Sequence, residues 1–195
     1  MKRLDQTRQR ATHILDAAMA CFIAQGFHPT SMRDIAQAAG VSLGNLYNHF
    51  ASKEALILAV AGAEQTELAP LLAALASGSG GRTALKRFLR DYHALCTRRE
   101  WARLSVEVLA ESARNPVVAT AFARNRAQLL QALATYIARL PRATALSPAL
   151  IAQLLLDAVE SDGLRRGLDA DGGIMPARVP VLQPALLDAL LGGAI

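Results

Sequence analysis

Residues 42–50 read SLGNLYNHF, and they gather side chains suited to a base edge beside side chains suited to a phosphate. Asn45 and Asn48 each offer a donor and an acceptor on one planar group, which is what reading a base edge requires. Tyr47 and His49 have polar tips that reach phosphate oxygens, and Gly44 has no side chain to hold a backbone away. Bond-breaking chemistry is not signalled. There is no Gly-x-Ser-x-Gly, phosphate-binding loop, His-Glu-x-x-His or dinucleotide fingerprint, and the four histidines are scattered. The expectation is therefore a protein that is not an enzyme, with no catalytic residue, no metal site and no cofactor.

Such side chains work only on a helix that can enter the major groove, and the flanking residues supply one. Thr30 and Ser31 are candidate N-caps for a short helix in which Ile35 and Ala36 face inward while Arg33 and Gln37 stay outside. Ala39-Gly40-Val41 forms the turn, with Gly40 free to adopt a positive φ and Val41 plugging the angle between the helices. Ser42 caps a second helix whose buried edge is Leu46 and Phe50, four apart. Leu43, Gly44, Asn45, Tyr47, Asn48 and His49 are left on the outward arc. Residues 31–50 thus read as a helix-turn-helix within a DNA-binding segment spanning 7–53. Helix starts expose free amides and partial positive charge, so Thr30, Ser31, Ser42 and Lys53 are expected at phosphates. The expected DNA-binding set is Thr30, Ser31, Arg33, Ser42, Leu43, Gly44, Asn45, Tyr47, Asn48, His49 and Lys53.

The rest of the 195-residue chain supports this reading. Charge is unevenly placed: through Lys53 there are six Lys or Arg against three Asp, so most of the net +5 lies where a phosphate-facing surface needs it. With 52% apolar and 19% charged residues the chain has the material for a packed core. Cys21 and Cys96 lack metal-ligand or disulfide spacing, which points to a reduced, cytoplasmic protein. No leader is evident, and Leu56 to Ala63 is too short an apolar run to span a membrane, so no membrane partner is expected.

Periodicity is helical throughout and predicts an all-α fold of about nine helices. The expected helices run from about Arg8 to Gln25, in a short second unit that stops at Gly40, in a third capped by Ser42, and in a fourth capped by Ser52 that reaches roughly to Ala76. Five more follow at about Thr83 to Thr97, Glu100 to Ala113, Pro116 to Leu140, Ser147 to Leu168 and Gln183 to Leu191. Ser77 to Gly81 reads as a flexible turn and Asp169 to Pro180 as an irregular connection.

The stretch GFHPTSMRDIAQAAGVSLGNLYNHFASKEAL, Gly26 to Leu56, resembles the tetracycline-repressor-type (TetR) family of regulators. Its glycine-aromatic pair, Thr-Ser start, IA..AGVS core, LY.HF ending and following SKE.L carry the resemblance. Leu43 departs from it, standing where the family often has a basic or small polar residue, so it either lacks a phosphate contact or touches a thymine methyl. The resemblance implies a ligand-responsive repressor that binds a palindromic double-stranded DNA operator as a homodimer and is released by a small-molecule inducer; the alternatives are an activator with the same reading head or a helical adaptor without DNA binding. It also implies that 54–195 form a ligand-binding and dimerisation body.

Polar residues among apolar ones mark the expected ligand pocket: Phe88, Tyr92, Cys96, Trp101, Leu104, Ser105, Glu107, Val108, Glu111, Phe122, Asn125, Asp157 and Glu160. Trp101 serves equally as core, and Glu107 and Glu111 as a solvated face. Apolar faces mark the expected dimer interface, Leu150, Ile151, Leu154, Leu155 and Ala158 on one helix and Leu182, Leu186, Leu187 and Leu190 near the end of the chain.

Overall fold

The computed structural model describes residues 2–77, 80–169 and 184–192. Among them the chain is all-helical: α1(Lys2–Gln25), α2(Met32–Ala38), α3(Leu43–His49), α4(Lys53–Ser77), α5(Gly81–Cys96), α6(Arg99–Ser112), α7(Pro116–Ala138), α8(Pro148–Leu168) and α9(Pro184–Leu191). The expected helices are all present, with ends shifted by up to two residues except at the start of α1. That helix begins six residues before Arg8, because its first turns hold a single apolar residue, Leu4, and one residue sets no apolar period to mark the start. Residues 78–79 and 170–180, part of the expected turn and most of the expected irregular connection, lie outside the described residues.

The chain divides into two compact units, one of Met1–Gln65 with Leu104–Ala123, the other of Thr66–Arg103 with Arg124–Ile195. The first unit is therefore larger than the 7–53 read from sequence. Its core is Ile14, Phe22, Phe27, Ile35, Leu46 and Leu56, and it is completed by Val118 and by Phe122 from α7. Phe22 and Phe27 meet edge to face with centroids 4.7 Å apart, a geometry the ring quadrupoles favour.

Between Phe22 and Phe27 the chain must leave a helix and turn back, and Gly26 does this at φ +91°. A side chain there would be strained by the backbone and would also meet Glu107, whose Oε2 lies 2.9 Å from the position of a Cβ. That oxygen accepts the Phe27 N–H at 2.9 Å. Beyond it, Asn115 Nδ2 donates to Glu54 Oε2 at 2.8 Å.

In the second unit Leu85, Leu89, Leu133, Ile137, Ile151 and Leu155 form the centre of a separate core. α8 lies very close on α5 and on the start of α6. A Cβ at Gly163 would sit 2.3 Å from Cys96 Cβ, and one at Gly167 would sit 2.5 Å from Ala102 Cβ. Buried Asp162 sits between His93 Nε2 at 2.7 Å and Arg166 Nε at 2.6 Å. Burial works against its charge, but the hydrogen bonds from Arg166 and His93 outweigh that and hold the carboxyl below its ordinary range.

By length and apolarity α4 could cross a membrane. Its apolar side chains are instead in use by protein cores: Leu56, Ile57 and Val60 in the first unit, Leu68 and Leu75 in the second.

Two stability predictions follow from these contacts. Gly26→Ala should cost about 1–3 kcal/mol and more than Gly40→Ala, because Gly40 has φ +60° but open space around its Cβ position. Urea midpoints in which Gly40→Ala is the worse of the two would contradict this. For Asp162, a folded-state pKa below the unfolded value near 3.9 means its contribution is complete above that value and is lost as pH falls through the lower folded one. Asp162→Asn should therefore lower the denaturation midpoint at neutral pH, and the gap from the unsubstituted protein should narrow toward about pH 3.

Candidate nucleic-acid interface

The two helices of the motif are fixed by their own caps. Ser31 Oγ accepts the Asp34 N–H, while Asp34 Oδ2 accepts from the Ser31 N–H at 2.8 Å and from its hydroxyl at 2.6 Å. This reciprocal box satisfies two amides that a helix start leaves open. The same bonds from Ser31, side chain before backbone, hold the Asp34 carboxyl below its ordinary value. Ser42 caps α3 by accepting the Asn45 N–H at 3.1 Å. Gly40 takes the positive φ expected, and Val41 N–H closes onto the Ala36 carbonyl at 3.0 Å.

Leu46, fully buried, is the pivot of α3. With it inside, Ser42, Gly44, Tyr47 and Asn48 face solvent, and Arg33 does so on α2. Tyr47 keeps 49% of its surface exposed, a large aromatic left half open to solvent. No side-chain Cβ at Gly44 would meet any atom within 4 Å. The chain's own packing therefore does not require glycine there.

Four residues of the expected set have other positions. Thr30 is 1% exposed and donates its hydroxyl to the Gly26 carbonyl at 2.7 Å, so its side chain faces the interior rather than a phosphate. Lys53 Nζ donates to the carbonyls of His28 and Thr30, both at 3.0 Å, and ties the loop before α2 to the start of α4. Leu43 packs partly on the first unit's core, which explains a leucine at that position without any base contact. Asn45 turns toward α1 rather than outward, with its Oδ1 buried and without a hydrogen-bond partner among the described residues.

Sequence reasoning missed the residues that Asn45 faces. Gln6, Thr7, Gln9, Arg10 and His13 of α1 line a groove of about 560 Å³ with Asn45 and His49. Their helical spacing was the available signal, but Gln6 and Thr7 lay ahead of where α1 was expected to start.

The expected ligand set is divided between the two units. Leu104, Val108 and Phe122 pack on the first unit's core, Glu107 holds the Phe27 amide, and Glu111 pairs with Arg114 at 3.2 Å. Ser105 is half-buried on the same stretch of α6. The second unit keeps the rest. Phe88 and Tyr92 stack with centroids 6.1 Å apart, Trp101 packs against that core, and Cys96 and Asn125 are buried. Tyr92 Oη donates to Glu160 Oε1 at 3.0 Å, and Glu160 Oε2 accepts from Arg126 Nε at 3.1 Å. Burial pushes the Tyr92 phenol far up, so it remains a donor. Asp157 is solvent-exposed and bonds Arg126 and Gln153 rather than facing inward.

Of the expected dimer residues, Ile151, Leu155 and Leu187 are buried in their own chain and are unavailable to a partner. Leu190 is partly buried against that core and Ala158 is half-buried. Leu150 and Leu154 are exposed at 44% and 41%. Leu182 and the side chain of Leu186 lie outside the described residues.

Comparison with known proteins agrees with this geometry. Residues 14–60 match the family described as "Bacterial regulatory proteins, tetR family". The HTH-type transcriptional repressor Rv1474c of Mycobacterium tuberculosis is 31% identical over 85% of this chain and 79% of its own length. Among solved structures, Salmonella enterica GusR superposes with a TM-score of 0.74 at 28% identity, over 94% of this chain and 96% of that one. The flavonoid-responsive regulator FrrA gives a TM-score of 0.67 at 30% identity, over 94% and 96%.

Gly44 supplies a test of the exposed arc. A helical glycine with open space costs roughly 0.5–1 kcal/mol relative to alanine, so Gly44→Ala should raise the denaturation midpoint. If the glycine serves close approach of a DNA backbone, the same substitution should weaken duplex binding in a gel shift. A variant that is both more stable and equally tight in binding would remove Gly44 from the interface.

Proposed function

The chain belongs to the tetR family of bacterial regulatory proteins and is a transcriptional regulator rather than an enzyme; from that premise we propose that it is a cytoplasmic repressor, binding a palindromic operator as a homodimer and released by a small-molecule inducer. The observation that carries DNA recognition is the exposed arc of Gly44, Tyr47 and Asn48, held outward by the wholly buried Leu46. A polar and aromatic face on a capped helix, beside the positively charged start of the chain, fits a major groove.

One such helix contacts too few base pairs to select an operator, which favours two copies on half-sites about one turn, roughly 34 Å, apart. Leu150 and Leu154 support a symmetric pairing through α8. They lie one turn apart on the outside of a helix whose Ile151, Leu155, Leu156 and Val159 fill its own core, and they are large side chains a partner would cover.

For the inducer we propose the second unit, at Phe88, Tyr92, Trp101 and Glu160, where a stacked aromatic pair adjoins a hydrogen-bonded carboxylate. FrrA, a relative by structure, is a flavonoid-responsive regulator, and aromatic walls with a few polar groups suit flat, hydroxylated molecules. Release then requires that the inducer bind more tightly to a state unable to hold the operator. α4, α6 and α7 each contribute residues to both compact units and offer the physical route for that coupling.

The test begins with selection of duplexes from a random library. Palindromic sites bound with steep salt dependence are expected, and recovery of non-palindromic sites would overturn the dimeric reading. Leu150→Glu with Leu154→Glu, both exposed, should leave folding nearly unchanged. The pair should convert a dimer in light scattering to a monomer and weaken operator binding by at least about tenfold. Monomeric unsubstituted protein at micromolar concentration would contradict the proposal.

A further inference from the structure

From Asp5 to Arg10 every side chain of α1 is exposed, so this stretch of the helix adds nothing to the apolar core of its unit. A helix start of that kind needs another reason to be ordered and polar. Part of its seating is polar too: His13 Nε2 donates to the Ala39 carbonyl oxygen at 3.0 Å, joining α1 to the end of α2. The groove of about 560 Å³ then runs between α1 and α3.

The chemistry of its walls is one-sided. Arg10 supplies a guanidinium, Gln6, Gln9 and Asn45 supply carboxamides, and Thr7, His13 and His49 add a hydroxyl and two imidazoles, with no acid among them. Asp5 and Asp16, acids of the same helix, do not line it. The buried Asn45 Oδ1 has no partner among the described residues. A half-turn of that amide exchanges oxygen for NH2 and places a donor at the same point. Donors without acids fit an anion with several acceptor oxygens.

Position favours one source for that anion. On α3, Asn45 and His49 are each one residue on from Gly44 and Asn48, so the groove borders the exposed arc. A strand whose bases face Gly44, Tyr47 and Asn48 carries its phosphates past Asn45 and His49. Gln6 to His13 is seven residues of helix, about 10 Å, which matches about three base-pair steps at 3.4 Å of axis. We propose that this groove is a second DNA contact, in which Gln6, Gln9 and Arg10 of α1 hold the phosphodiester backbone flanking the half-site. The proposal rests on the DNA-binding reading above, and it makes α1 part of the interface rather than only its support.

The experiment uses the full chain and a duplex recovered from the random library. Binding is measured against salt for the unsubstituted protein, Arg10→Ala and Arg10→Lys. Arg10→Ala should reduce the slope of log K against log salt by about one unit, with base preference unchanged and Arg10→Lys restoring the slope. A neutral methylphosphonate at the flanking phosphate should weaken the unsubstituted protein and leave Arg10→Ala unaffected. Arg10 is exposed, so thermal unfolding should be the same in all three.

An unchanged slope together with equal sensitivity to the methylphosphonate would overturn the proposal while leaving the DNA-binding reading intact. Failure of the unsubstituted protein to recover any duplex would overturn both. Thermal protection by inorganic phosphate that Arg10→Ala abolishes, with no change in DNA slope, would assign the groove to a free anion and also overturn it.

Discussion

The five residues from Gly26 to Thr30 carry the chain from α1 into the motif, and the seating of the motif on its unit depends on how their backbone groups are satisfied. A reversal between a long helix and a short one exposes backbone groups that no helix satisfies, and buried ones must find partners. Here the partners are three side chains from three places: Glu107 for the Phe27 amide, Thr30 for the Gly26 carbonyl, and Lys53 for the carbonyls of His28 and Thr30. Each bond is worth only about 1 kcal/mol net, more where a charge takes part. The Thr30 bond to the Gly26 carbonyl is buried, so losing it leaves a polar group without water or partner, which costs more than the bond itself contributes. The loop is thus held by the penalty of disruption.

This arrangement gives α6 a defined place in the unit that carries the motif. Glu107 closes the loop, Asn115 bonds Glu54 at the start of α4, and Val118 and Phe122 complete the apolar core. The motif's support is therefore built from residues up to about eighty positions away in sequence. The face presented to solvent, by contrast, is built from neighbours: two serine caps, a glycine turn and one buried leucine.

That difference explains what could be read from the sequence. Ser31, Ser42, Gly40 and Leu46 act within four or five residues of themselves, and their spacing alone announces the helices and the turn. The backbone bonds of Thr30, Lys53 and Glu107 were not legible, because nothing in a local pattern tells a hydroxyl, an ammonium or a carboxylate that a distant backbone needs it. Leu43 looked anomalous only against a family pattern. Its packing on the core makes it ordinary. On α8, apolar residues occur on most sides, so periodicity could not separate Ile151 and Leu155, which fill the chain's own core, from Leu150 and Leu154, which do not. The start of α1 was invisible for the opposite reason, having one apolar residue, Leu4, and no second to set a period.

The meeting of Gly163 with Cys96 has a consequence for how the second unit can accommodate a guest. Where two helices touch glycine to side-chain root, their spacing is fixed by main chains and has no long side chains to swing aside. Gly167 against Ala102 repeats this one turn on. That end of the α5–α8 seam is a rivet. Any room made for a molecule must be found away from it, toward Phe88, where the side chains are large enough to trade volume by changing rotamer.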